Sequence, residues 1–218
     1  MTIKFNQYWT IIPERTEEYN KFIIKEFIPT VNRWDMHVVA GWTVLVGAYC
    51  EIMLESVSSD LCVVEKALTD PKYRLLNEKL LTYVKNYKTK ILVSTGRKNA
   101  YSRDIKQNTV KFIQVWDIAK NRQTEYERFV SLEYYPKLEE LGISVAGEWA
   151  VLLGEGPGII CEGRIQDIEH LAKILHSDKF RKARSELRKY VGNYASRLLA
   201  FHVQKVLGYK SVSYEIFY

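Results

Sequence analysis

The sequence predicts an α+β fold built twice in one chain, as two tandem βαββαβ units. Three observations carry that prediction. The stretch from Ile3 to about Ser94 returns from Val110 to about Phe201 at a constant offset. Lys4, Phe5, Gln7, Trp9 and Ile11 come back as Lys111, Phe112, Gln114, Trp116 and Ile118, and self-similarity of that length marks a duplicated structural unit. Within each copy the apolar residues switch between strand alternation and helical spacing. The 218 residues suit two domains of about 100 residues each. The expected division is a first domain at 1–98, a linker at 99–109, a second domain at 110–205 and a tail at 206–218.

Each element has its own signal. Residues 3–12 and 110–119 are rich in aromatic and β-branched residues and read as strands. Tyr19, Phe22, Ile23, Phe27 and Val31 then recur at helical spacing, as do Tyr126, Phe129, Val130 and Leu138. Pro29 and Pro136 sit near the end of that helix and should kink or terminate it, because proline has no N–H to donate. VVAGWTVLVG (38–47) and VAGEWAVLLG (145–154) are strands closed by Gly47 and Gly154. YCEIMLES (49–56) and GIICEGR (158–164) follow closely enough to complete a hairpin in each copy. Glu55 and Glu162 end these second strands and read as solvated.

Asp60 and Asp167 open a second helical region as N-caps. It breaks at TDPKY (69–73) and HSDKF (176–180), where Asp70 and Ser177 cap a fresh segment and Pro71 fits its first turn. Leu80, Tyr83, Val84 and Tyr87 keep the helical period, matched by Leu187, Tyr190, Val191 and Tyr194. KILVS (90–94) and RLLAFHV (197–203) are the last strands. The order βαββαβ is the ferredoxin-like pattern. The tail GYKSVSYEIFY (208–218) alternates enough for an extra strand, which would cover a sheet edge or reach a neighbouring molecule.

Composition narrows the class. Apolar residues make up 47% and charged residues 27%, as in ordinary globular domains. No window approaches the run of about 18 apolar residues that a membrane span needs, and the chain opens without a basic-then-apolar leader. No membrane association and a cytoplasmic location are expected. Cys50, Cys62 and Cys161 are unmatched between copies and form no CxxC, so reduced thiols are expected. With no HExxH and no Cys–His cluster, no metal is expected. The charge of +6 permits an anionic partner. KFRKARSELRKY (179–190) is strongly basic but reads as a solvated helix face. Without an aromatic RNA-binding signature, nucleic acid is not an expected partner.

Several side chains are candidates for chemistry. Alternation puts Phe5, Gln7, Trp9 and Ile11 on one face of the first strand, and all four recur. Two readings stand. Gln7, Trp9, Gln114 and Trp116 either pack a core between the two domains, with each glutamine hydrogen-bonded to the other half, or line a site for a flat or amphipathic small molecule. Trp42 and Trp149 join the same ligand set. Glu26 and Glu133 fall at the edge of a buried helical stripe. There each is either a general base or the acceptor of a structural hydrogen bond. His37, His170, His176 and His202 are unmatched between copies.

Three short motifs add a resemblance. Gln7-Tyr8-Trp9, the strand from Gly41-Trp42 to Gly47, and Asp70 to Arg74 resemble the dimeric α/β-barrel superfamily, and within it NIPSNAP-type domains. Gln114-Val115-Trp116, Trp149 to Gly154, and Ser177 to Arg181 repeat the marks. Gln7 and Gln114 stand where the family's first strand often has arginine. The resemblance implies two sheets packed as a barrel around a central pocket, built here by the two halves of one chain. Further homo-oligomerisation is expected. Members include oxygenases, isomerases, haem-using enzymes and proteins without known activity, so the fold does not choose among them. Three functions follow as expectations. The first is binding of a small apolar or aromatic molecule, in a cofactor-free oxygenase or isomerase. The second is a non-enzymatic assembly protein. The third is a haem protein using His176, beside the helix break, or else His170, as axial ligand.

Overall fold

In the computed structural model, which describes residues 2–98, 108–207 and 212–216, each copy forms the predicted βαββαβ series. The first copy runs β1 (Ile3–Ile11), α1 (Thr16–Phe22), a π-turn (Ile23–Phe27), α2 (Ile28–Val31), β2 (His37–Val46), β3 (Ile52–Ser58), α3 (Leu61–Thr69), α4 (Pro71–Leu81) and β4 (Val84–Ser94). The second runs β5 (Val110–Ile118), α5 (Gln123–Phe129), a π-turn (Val130–Tyr134), α6 (Tyr135–Glu140), β6 (Ser144–Leu153), β7 (Ile159–Ile165), α7 (Ile168–His176), α8 (Asp178–Leu187) and β8 (Val191–Leu207). A further strand, β9 (Val212–Ile216), pairs antiparallel with the end of β8. Most of the expected linker, residues 99–107, lies outside the described residues.

The described residues fall into two compact units, bounded as Met1–Val44 with Ala48–Val93 and Phe201–Tyr218, and Leu45–Gly47 with Ser94–Ala200. The end of β8, counted with the second domain in the sequence, therefore lies in the first unit. Each unit holds an antiparallel sheet in the same order, β2-β3-β1-β4 and β6-β7-β5-β8. The registers match too: Gln7 faces Leu54 as Gln114 faces Cys161. A bulge lies opposite each tryptophan of the first strand, between Tyr8 and Thr10 and between Val115 and Asp117. Asn86 (φ 57°) and Asn193 (φ 52°) take the left-handed backbone on the facing strands, a conformation that asparagine tolerates.

The helices cover one face of each sheet. Phe5, Trp9, Tyr19, Phe27, Val64, Tyr73 and Leu80 form the first core, and Phe112, Trp116, Tyr126, Tyr134, Leu171, Phe180 and Leu187 the second. A fully buried tryptophan contributes about 4–6 kcal/mol from its 150–250 Å² of surface. The other face of the first strand is buried as well: Lys4, Asn6 and Tyr8 are no more than 3% exposed. There the structure corrects the expectation for Glu55 and Glu162. The second strands continue past them to Ser58 and Ile165, so both carboxylates sit mid-strand and buried. Each forms an ion pair, Lys4–Glu55 and Lys111–Glu162.

Candidate functional site

Proline shapes the helix that bounds the site. An α-helix would need Pro29 and Pro136 to donate an N–H four residues back, and their rings would crowd that carbonyl. A wider π-turn just before each proline relieves the conflict, and the helix continues as α2 or α6. Expected kinks are thus absorbed as π-turns, an irregularity often found at functional sites. In the second unit the π-turn segment and α8 flank a groove of about 340 Å³, lined by Phe129, Glu133, Tyr134, Lys137, Lys179, Lys182, Ala183 and Glu186. Phe129 and Tyr134 are buried and form an apolar wall, while Glu133, Lys179 and Lys182 are exposed at the rim.

At the matching place in the first unit a salt link bridges the two elements. Lys79 forms an ion pair with Glu26 at 2.5 Å and sets its ammonium 5.1 Å from the Phe22 ring centre. Leu76 packs into the core there. By the repeat, Glu26 corresponds to Glu133, Phe22 to Phe129, Leu76 to Ala183 and Lys79 to Glu186. The second unit has thus lost the bridging cation and most of a leucine's volume. Where Lys79 stands against Glu26 in the first unit, the second has the carboxylate of Glu186, beside Lys179 and Lys182 of the same helix.

The second unit also holds a buried polar cluster built on a carboxylate that the first copy replaces with glycine. Glu148 is fully buried on β6, where the first copy has Gly41 packed against Val203. Arg97 Nε donates to Glu148 Oε1 at 2.7 Å, and its Nη2 donates to the same oxygen. Tyr126 donates to Glu148 Oε2 at 3.3 Å, and the Tyr135 hydroxyl donates there as well. Trp116 Nε1 in turn donates to the Tyr126 oxygen at 2.9 Å. The Arg97 guanidinium lies 5.5 Å from the centre of the Tyr126 ring and bonds Glu127 at 2.9 Å. Burial raises the Glu148 carboxyl above its ordinary range, against the pull of Arg97. Burial, reinforced by Glu148, raises the Tyr126 phenol. Tyr135 adjoins Tyr134, with ring centres 6.1 Å apart, so the cluster sits one residue from the groove wall.

The residues expected at a site are dispersed. Gln7 Nε2 donates to Tyr87 at 2.7 Å and to Tyr73 at 3.3 Å. Gln114 Oε1 accepts from Tyr134 at 2.5 Å and Tyr194 at 2.9 Å. Trp9 Nε1 bonds Tyr19 at 3.0 Å. Each glutamine is thus bonded within its own unit and not to the other half as expected, because these side chains and Trp116 lie under the helices of their own unit. Trp42 is buried, donates to Glu55 at 3.0 Å and stacks on Phe201, with ring centres 4.3 Å apart. Trp149 is fully buried on β6. Of the two helix carboxylates, Glu133 alone borders the groove. His176 is exposed at the end of α7 and lines neither this groove nor the shallower hollow beside His170. His170 Nε2 lies against Gly142, where an added Cβ would meet it at 3.2 Å. His202 is buried, stacked on Tyr19, and burial pushes its pKa down to about 4. Glu148, Arg97 and Glu186 went unrecognised in the sequence. The signal for Glu148 was a carboxylate inside an apolar strand whose twin carries glycine.

No family model matches the chain, and no curated protein matches it in sequence. Solved structures do match in shape. A mutant chlorite dismutase from Candidatus Nitrospira defluvii aligns at a TM-score of 0.63 with 7% identity, over 91% of this chain and 90% of its own. An anthrone oxidase-like protein aligns at 0.59 with 13% identity, over 92% and 90%. A NIPSNAP family protein from Agrobacterium tumefaciens str. C58 covers 44% of this chain and 95% of its own at 0.37 with 15% identity, too low a score to read a shared fold from. Identities this low speak for architecture alone. On that ground, the chain shares its overall architecture with these chlorite dismutase and anthrone oxidase-like structures.

Proposed function

We propose that the second half of this chain binds a small molecule with an aromatic or compact apolar body, in the groove between its π-turn and α8. One observation carries the reading: the repeat bridges this place in the first half with Lys79 and Glu26 over Leu76, and has a groove in the second, where Glu186 and Ala183 stand instead. A volume of about 340 Å³ is at the small end of the range for ligand pockets. The reaction class it suits is proton transfer without a cofactor, as in an oxygenase or isomerase of this fold. Glu133, which lines the groove, would be the carboxylate to take the proton from a bound ligand. No step is assigned to haem, since His176 stands away from the groove.

The test is to rebuild the first half's salt link in the second. Ala183→Leu with Glu186→Lys restores the leucine and the bridging ammonium. Wild-type protein should bind anilinonaphthalene sulfonate at one saturable site per chain. The double variant should lose that binding while keeping its circular dichroism and melting profile. Undiminished binding in the folded variant would sink the proposal.

A further inference from the structure

Resting on that reading, we infer that the groove's ligand is an organic anion: a carboxylate or phosphate carried on a ring or short aliphatic body, held by Lys179 and Lys182. The charges on the groove are not equivalent. Lys137 is engaged by Glu140 at 2.5 Å, and Glu186 by Lys189 at 2.6 Å. Lys179 and Lys182 line the groove and form no ion pair among the described residues, although Lys179 also adds to the positive field on Glu140. They are three residues apart on α8, so both ammonium groups project from one side of the helix. Their counterparts in the first half are Lys72 and Leu75. The second cation therefore appears in the half that has the groove.

Below the two ammonium groups the wall is apolar, made by Phe129, Tyr134 and Ala183. A ligand fitting both parts has an anionic head and an apolar body. Lysine serves such a head as a point charge with rotatable donors, and does not demand the planar geometry that arginine does. Glu133 makes no ion pair or hydrogen bond among the described residues, and can accept from a hydroxyl or ammonium elsewhere on the ligand. Part of the basic run at 179–190, by composition alone only a charged helix face, thus has an anion to hold.

The experiment compares two dyes with the same ring system, anilinonaphthalene sulfonate and the uncharged phenylnaphthylamine, by fluorescence titration. The anion should bind more tightly and weaken as salt is raised. Lys179→Gln with Lys182→Gln should cost the anion about tenfold in affinity, the size expected of two exposed charge contacts, and leave the neutral dye unchanged. Both lysines are exposed, so folding is not at issue. Competition by naphthoate and by naphthyl phosphate then tells a carboxylate head from a phosphate head, and naphthalene methanol should compete poorly. Suppose the two dyes bind alike and the lysine variant changes nothing, while Ala183→Leu with Glu186→Lys still abolishes binding. The anion assignment would then be wrong and the groove reading intact. If the closing variant leaves both dyes bound, the groove reading itself falls.

Discussion

A carboxylate with no exposed surface must be answered by a charge or by a proton, and Glu148 has both within reach. Arg97 supplies the charge, and burial favours the proton. Arg97 is 16% exposed and Glu148 0%, so removing the arginine strands the carboxylate in a dry site. Arg97→Ala should cost about 3 kcal/mol near neutral pH, as expected for one partner of a buried pair. The pH dependence has a definite sign. A carboxyl whose pKa is raised on folding holds its proton more tightly in the folded chain than in the unfolded one. Its favourable share is complete below the ordinary carboxylate range and is withdrawn as pH rises through the raised value. Without Arg97 the rise is larger. The variant's deficit should therefore shrink as pH falls from about 7.5 to about 5, as Glu148 takes up its proton. Adding Glu148→Gln should recover part of the loss at the higher pH. Urea unfolding at both pH values measures this, and a deficit that ignores pH would count against it.

At the scale of elements, much of the fold was legible, because each element carries a local signal. Asp60, Asp70, Asp167 and Ser177 cap the helices they were expected to cap, through bonds to the backbone of the next two or three residues. The π-turns were not legible: proline announces a conflict with the helix but not how the chain resolves it. Glu55 and Glu162 were misplaced for a related reason. Their partners, Lys4 and Lys111, sit a strand away, and no local pattern pairs them. The same non-local logic appears where β7 meets the turn before β6. A Cβ added to Gly163 would lie 2.6 Å from Ile143 Cγ2 and 3.4 Å from the Phe112 carbonyl oxygen. The first copy has Ser56 at this position and the unbranched Met36 opposite. Gly163→Ala should cost about 1–3 kcal/mol by overpacking. Ile143→Met should relieve a good part of it, since methionine adapts where isoleucine cannot. Double-mutant analysis of urea midpoints decides the matter, because strictly additive costs would mean that Ile143 is not the obstacle.

At the scale of the whole molecule, duplication supplies a control inside one chain. The copies share strand order, bulges, π-turns and the Trp–Tyr hydrogen bonds, so those features belong to the fold. They differ at Gly41 against Glu148, Leu76 against Ala183 and Lys79 against Glu186, so those differences are where function can reside. The groove was present in the sequence only as a swap of charge and size between distant aligned positions, visible once the spatial pairing of Glu26 with Lys79 is known. The comparison also runs in reverse. Leu76→Ala with Lys79→Glu should open the first half as the second is open, and Leu75→Lys should add the missing cation. Leu76 is 7% exposed, so its truncation alone should cost about 2–5 kcal/mol, and binding must be measured well below the lowered melting point. In the triple variant the stoichiometry of anilinonaphthalene sulfonate should rise from one to two per chain. Leaving Leu75 unchanged, in the double variant, should give a weaker new site that is still open. A folded triple variant that still takes a single dye would mean that the backbone of the first half, not its side chains, keeps the groove shut.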